Sequence, residues 1–271
     1  MAAIGDGDRG AGDGGSVRWE SVRDLARSDR RGALVTVVAG PDIGAKLMVT
    51  PDGTQGSLGD PELDAEATAV ARELLPGEEA AVRETAGRQL FFDVFAPQPR
   101  LLIVGAVDFA AALARAARQS GFRVVVVDAR ERFATKDRIP DAHEVVVAWP
   151  HEYLEANPPD DATYACVLTH EPRFDDPTLR ALLGSRVAYI GAMGSRRAHG
   201  ERLQRLRQEG YGDEHLARIS GPIGLDIGAK TPEETAISIL AEVIAARHGR
   251  AGGRLSERGE PVHTLRERGM V

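Results

Sequence analysis

The chain has 271 residues, 42% of them hydrophobic and 28% charged, with a formal net charge of −7 and a single cysteine, Cys166. That length supports one large domain or two modest ones, each with its own core. The negative charge argues against a sequence-independent grip on nucleic acid, which needs clustered basic groups against phosphate. A lone cysteine excludes an intramolecular disulfide and all but excludes a cysteine-based metal site.

Residues 1–15 are rich in Gly and Asp and lack an apolar h-region, so they read as a flexible leader rather than a signal peptide. No run of about 18 apolar residues occurs, so no membrane span and a cytoplasmic location are expected. Ser16–Ser28 reads as a short helix. GALVTVVAG (32–40) and AKLMVT (45–50) are β-rich, and PDGTQGS (51–57) reads as a turn from its Pro, Asp and Gly. Residues 62–75 read as helix, and VRETAGRQLFFDVF (82–95) as two strands around Ala86–Gly87. Residues 16–96 thus form a small α+β domain, and 97–99, Pro-Gln-Pro, a stiff linker.

From 100 to 248 the pattern alternates. Strands are expected at 101–104, 123–127, 144–148, 163–169 and 187–190, with helices at 108–120, 177–183, 195–208 and 232–247. Short continuous apolar strands between helices signal a Rossmann-like, mostly parallel sheet with helices on both faces. Residues 249–271 read as a surface tail. The charges of 202–208 and 243–250 read as facing solvent.

Three stretches carry candidate chemistry. In LLIVGAVDFAAAL (101–113), Gly105 ends a buried strand at a sharp turn into a helix. Asp128 ends the next strand, where the ribose-binding acid of a dinucleotide fold stands. The second and third glycines of G-x-G-x-x-G are replaced by Val107 and Ala110, so the phosphate turn is degraded. Asp108 either opposes an anion there or caps the helix. In YIGAMGSRR (189–197), Gly191 and Gly194 flank a loop, and Ser195 opens an amphipathic helix followed by Arg196 and Arg197. Strand, glycine loop and helix start make an anion site; the competing reading is a connector with solvated arginines. In GPIGLDIGAK (221–230), Gly224, Asp226 and Lys230 crowd a loop ahead of a long helix that begins with the capping box Thr231-Pro232-Glu233-Glu234. That loop either lines a site at the strand ends or is structural, with Lys230 solvated. His170, just beyond a strand, is a candidate base or hydrogen-bond donor. Cys166 reads as a buried, inert thiol, and His143 and His151 have no evident partner.

In order along the chain, GAKLMVTPDGTQGSLGD (44–60), YIGAMGSRR and PIGLDIGAKTPEETAISILAEVIA (222–245) resemble the XdhC/CoxI family of accessory proteins for molybdenum hydroxylases such as xanthine dehydrogenase. The likeness spans roughly residues 30–265. It implies a maturation factor that binds the molybdenum cofactor, a phosphate-bearing molybdopterin. Such a factor assists the cofactor's sulfuration and insertion, meeting an apo molybdenum hydroxylase and a cysteine desulfurase, and a homodimer is expected. Gly191, Gly194, Ser195 and Arg196 would receive the anionic group, and Gly224, Asp226 and Lys230 would close over the ring or its metal side. Two departures stand out. Many members carry G-A-G-H-V-G where this chain has Gly105-Ala106-Val107-Asp108-Phe109-Ala110. Many carry Gly-Gly-Cys where it has Asp60-Pro61-Glu62 after Gly56-Ser57-Leu58-Gly59. The alternative is an NAD(P)- or FAD-dependent oxidoreductase using the Rossmann unit.

Overall fold

Strand β1 (Gly32–Ala39) alternates buried and half-buried positions, as a strand with one covered face must. It lies at the centre of a five-stranded antiparallel sheet with β2 (Lys46–Thr50), β3 (Gly53–Ser57), β4 (Ala81–Thr85) and β5 (Arg88–Phe95), in the order β3-β2-β1-β5-β4. The structure is a computed structural model and describes residues 16–28, 30–75 and 80–257. The leader expected at 1–15 and the tail beyond 257 lie outside the described residues. Helix α1 (Trp19–Arg27) buries Val22 and Leu25. Helix α2 (Pro61–Leu74) starts where Asp60 accepts the N–H of Glu62 at 2.8 Å and Pro61 takes a first-turn position that needs no donor. It packs Leu63, Ala67 and Ala71 onto Val35, Leu47 and Phe92.

The expected turn at 51–57 is corrected: only Pro51–Asp52 turn, and Gly53–Ser57 is an edge strand with Gln55 opposite Met48. Its composition is poor for a strand, but ladder bonds to β2 override weak local preference.

The chain divides into two compact units between Pro97 and Gln98. The second holds six strands: β6 (Arg100–Val104), β7 (Arg123–Asp128), β8 (Glu144–Val147), β9 (Thr163–Val167), β10 (Tyr189–Ala192) and β11 (Ile219–Ser220). All neighbours are parallel, in the order β11-β10-β9-β6-β7-β8. The period of two sorts their side chains into two cores. Leu101 and Ile103 of β6 face one side, with Val124, Val126 and Cys166; α3 (Asp108–Gln119) and α8 (Pro232–Arg247) cover it through Leu113, Ala117, Ile239 and Val243. Leu102 and Val104 face the other, with Val125, Val127, Leu154, Leu179, Leu182 and Leu206. That face carries α4 (Pro150–Ala156), α5 (Pro172–Leu183) and α6 (Arg196–Gln208).

Sequence patterning shows no helix at α4 or at the short α7 (Asp213–Leu216), and no strand at β11; the structure adds all three. The helix expected from 177 begins earlier, with Pro172 in its first turn and Pro177 inside it. The gap is tolerated because burial of Phe174, Thr178, Leu179 and Leu182 fixes the helix on the sheet. Helices α5 and α6 are joined by three ion pairs: Asp175 to Arg202, Asp176 to Arg205 and, with the charges reversed, Arg180 to the C-cap Glu209. The charges at 202–208 are therefore not all solvent-facing. Arg202 is 3% exposed, because its partner on α5 lies under it rather than in water.

Strand order runs outward from β6 to β8 on one side and from β9 to β11 on the other. The crevice at their carboxyl ends, between β6 and β9, is where open α/β sheets receive ligands.

Candidate functional site

Gly105 ends β6 with φ +101°, a conformation that favours glycine, and a Cβ there would meet Thr169 Cγ2 at 2.5 Å. The turn is thus held against the loop after β9. Asp128, 3% exposed, ends β7 beside it. Its Oδ2 accepts the Ala106 N–H at 2.8 Å and Arg130 Nη2 at 2.7 Å; its Oδ1 accepts the N–H and Nε of Arg130, both at 2.9 Å. Burial alone would raise its pKa, but the bonds from Arg130 and Ala106 outweigh this and hold it below the usual carboxylate value. Both oxygens are spent inside the protein, so Asp128 has no acceptor left over for a ribose diol. The Arg130 guanidinium also lies 4.4 Å from the Phe133 ring centroid, which fixes it from the other side. Asp108 does not cap α3 through its side chain; the N-cap is Val107, and Asp108 projects into solvent toward Arg138 at 3.4 Å.

The end of β10 is arranged differently. Gly191 belongs to the strand, opposite Cys166 of β9, rather than to the loop. A Cβ on it would meet Ile223 Cδ1 at 2.3 Å and the Tyr189 hydroxyl at 2.6 Å, so its smallness serves packing. The strand expected to end at 190 continues to Ala192 in its ladder with β9 and carries Gly191 inward. Gly194 is the turn residue, with φ +144°. Ser195 caps α6, its Oγ accepting the Ala198 N–H at 3.1 Å. Arg196 is exposed and pairs with no described residue, and Arg197 reaches Glu201 at 3.7 Å.

Beneath this turn lies Arg202, which sequence reasoning missed. Its Nη2 donates to Met193 O at 2.9 Å and to Asp175 Oδ2 at 3.1 Å. Asp175 also accepts the Thr169 hydroxyl, and burial pushes its pKa up against the lowering effect of these two donors. Arg202 Nε and Nη1 are buried with no hydrogen-bond partner among the described residues. A side chain on Gly194 would come within 3.8 Å of Nη2 and 3.9 Å of Nη1. His199 packs its Nδ1 against Gly221; burial and then Arg202 lower its pKa.

The loop after β11 reaches the same edge, with the Ile223 N–H donating to Ala192 O at 3.1 Å. Gly224 has φ +109° and sits on α8: its N–H is taken by Glu242, and a Cβ would meet Ser238 Oγ at 2.5 Å. Asp226 and Lys230 are exposed and form no ion pair with described residues; the Lys230 N–H donates to Glu234. The structure thus brings Gly105, Thr169 and the Gly194 turn to one edge and leaves Asp226 and Lys230 facing solvent. His170 is exposed beside Thr169.

Cys166 is fully buried, and burial pushes its thiol pKa up. His143, expected to lack a partner, accepts the Val124 N–H through Nδ1 at 3.0 Å. An open cavity of about 810 Å³, bordered by His151, Pro159, Pro177, Arg180 and Arg186, lies between α4 and α5 and away from the Gly194 turn. Among the described residues no cluster of three or more His, Cys, Asp or Glu is placed to hold a metal ion, and no helix is long and apolar enough to cross a membrane.

Comparison with known proteins follows the same division. A family model described as the XdhC Rossmann domain matches residues 101–243, and one described as the XdhC and CoxI family matches 25–85. The chain is 32% identical over 231 residues to a protein of Bacillus subtilis described as a probable xanthine dehydrogenase subunit, covering 84% of this chain and 64% of that protein. Over 88 residues it is 35% identical to the "Molybdenum cofactor insertion chaperone PaoD" of Escherichia coli, covering 32% of this chain and 28% of that one. The chain therefore spans less than two thirds of the length of these relatives. A crystal structure described as a xanthine dehydrogenase from Bacillus halodurans shares the fold, with a TM-score of 0.53 at 21% identity over 89% of this chain and 97% of that one. With its Rossmann domain matched over more than half its length and the smaller domain matched before it, the chain belongs to the XdhC and CoxI family.

Proposed function

We propose that the chain is an accessory factor for a molybdenum hydroxylase of the xanthine dehydrogenase kind, holding the molybdenum cofactor and delivering it to the apo-enzyme. Family membership and the relative named as an insertion chaperone support this reading. The observation that carries it is the contrast between two turns on one sheet edge. At Gly105 the dinucleotide-type acid Asp128 is saturated by Arg130 and Ala106. At Gly194 donors stand over a buried guanidinium with unused nitrogens. An NAD(P)- or FAD-dependent oxidoreductase needs the first turn, whereas a carrier of a phosphate-bearing pterin needs only the second.

In this role the chain's own residues bind and release. Ser195 and the first-turn N–H groups of α6 receive the phosphate, with Arg196 at the rim. Gly224 holds the neighbouring loop down on α8 and keeps the approach clear. If the cofactor is sulfurated while held, the sulfur comes from a partner such as a cysteine desulfurase. The one cysteine, Cys166, is sealed in the sheet, and the place of the family's Gly-Gly-Cys is taken by the α2 cap at Asp60. A homodimer fits the small first unit, whose own core is limited.

The test is mass spectrometry of what co-purifies with the native protein, followed by transfer to an apo-hydroxylase. A molybdopterin-type cofactor bound by the chain and passed on is expected, with weaker retention in Arg196→Ala. Turnover of an alcohol or aldehyde dependent on NAD, with no cofactor bound, overturns the reading.

A further inference from the structure

We propose that Arg202 is the buried floor of a phosphate-monoester subsite whose rim is the Gly194–Arg196 turn. The proposal rests on the cofactor-handling reading and deepens it, naming the group the site grips and a residue outside the glycine loop that grips it.

Three independent features converge there. Helix α6 is 13 residues long, and the N–H groups of its first turn have no acceptor inside the helix. Only the Ala198 N–H is taken by the Ser195 cap, so those of Arg196 and Arg197 remain to face an anion. Second, a guanidinium 3% exposed stands under the turn with Nε and Nη1 unpartnered. Burying donors of a charged group without acceptors is costly, so such nitrogens mark a place where an acceptor belongs. Third, the residue above them is glycine: a Cβ there would lie 3.9 Å from Nη1, so the turn places no side chain of its own between α6 and the guanidinium.

The geometry favours phosphate over a carboxylate. Donors come from two directions, backbone above and guanidinium below, which suits a tetrahedral group with several terminal oxygens rather than a planar one with two. The Arg202 charge is already balanced by Asp175, so the surplus positive field comes from the α6 terminus and Arg196, and two negative charges can be matched there. Thr169 and Asp175 act as positioning residues: Asp175 accepts from Nη2, Thr169 donates to Asp175 and holds it in place, and Nη1 is left free. Because Thr169 also abuts Gly105, the subsite is registered against the switch-point crevice, and the rest of a ligand would lie along the ends of β9 and β6.

The experiment titrates the full chain with inorganic phosphate while following the Nε–H signal of Arg202 and the amides of Ser195, Arg196 and Arg197 by NMR. Saturable shifts at all four are expected. Arg202→Lys keeps the charge and loses the fork, and should weaken phosphate about tenfold or more. Gly194→Ala should weaken it through its added methyl and strained backbone. Shifts confined to other parts of the chain, or none at Arg202 Nε, overturn the proposal. If Arg202→Lys fails to fold, the wild-type titration still decides, because a guanidinium that is only structural does not respond to phosphate. Retention of a molybdopterin-type cofactor with no phosphate response overturns this subsite and leaves the accessory role standing. A phosphate response without cofactor retention does the reverse.

Discussion

Asp175 and Arg202 meet at 3.1 Å between the first turn of α5 and the second turn of α6, both closed off from solvent. Removing one member strands the other as an uncompensated buried charge. Asp175→Ala should therefore cost about 3–5 kcal/mol in denaturant unfolding, and Asp175→Ala with Arg202→Met should cost less than the two single losses added together. Additive losses would mean the pair is not coupled.

Gly191 and Gly194 are three residues apart and should respond differently. Gly191→Ala drives a methyl into Ile223, so it should lower stability by about 1–3 kcal/mol while the folded fraction keeps its phosphate affinity. Gly194→Ala should lose affinity. Thermal melts paired with phosphate titrations separate the two effects, and a loss of affinity from Gly191→Ala at unchanged stability would contradict this division.

Arg130→Ala removes two of the four donors around the sealed Asp128 carboxylate, at an expected cost of about 1–3 kcal/mol near neutral pH. The folded pKa of Asp128 lies below its ordinary value, so its contribution is present above that value and lost as pH falls through the lower, folded one. The gap between wild type and variant should narrow on acidification through the carboxylate range. A gap that stays constant down to acid unfolding would refute the assignment.

His143 accepts a backbone N–H and must be unprotonated at Nδ1 to do so. Partial desolvation first, then the positive charges of Arg118, Arg123 and Lys136, hold its pKa below 6.5. A depressed folded pKa means that this stability is complete above 6.5 and is lost as pH falls through the folded value. The wild-type melting temperature should decline as pH falls below about 6.5, and the decline should be shallower in His143→Ala.

The parallel sheet was legible because β6 and β7 are unbroken apolar runs, which only a strand covered on both faces can use. The turn into α6 was legible from Gly194 and Ser195, a positive-φ glycine and a serine cap whose roles are local. Gly191 was misplaced because a glycine beside a loop and a glycine packed under Ile223 look alike until β10 is in register with β9. Arg202 was missed for a related reason. An arginine on a polar helix reads as solvated, and its burial follows from a partner 27 residues upstream. One trace was present, an acid pair at 175–176 and arginines at 202 and 205, but pairing them needs α5 and α6 side by side. Asp128 was placed correctly at its strand end, but two residues further on stood the arginine that occupies it.

That occupancy bears on how this chain could gain a dinucleotide. Freeing Asp128 by losing Arg130 leaves Val107 in place of the motif's second glycine, and trimming Val107 leaves the acid still engaged, so neither step alone restores a dinucleotide turn. A chain changing one substitution at a time would therefore cross a weakened intermediate with no new ligand to compensate.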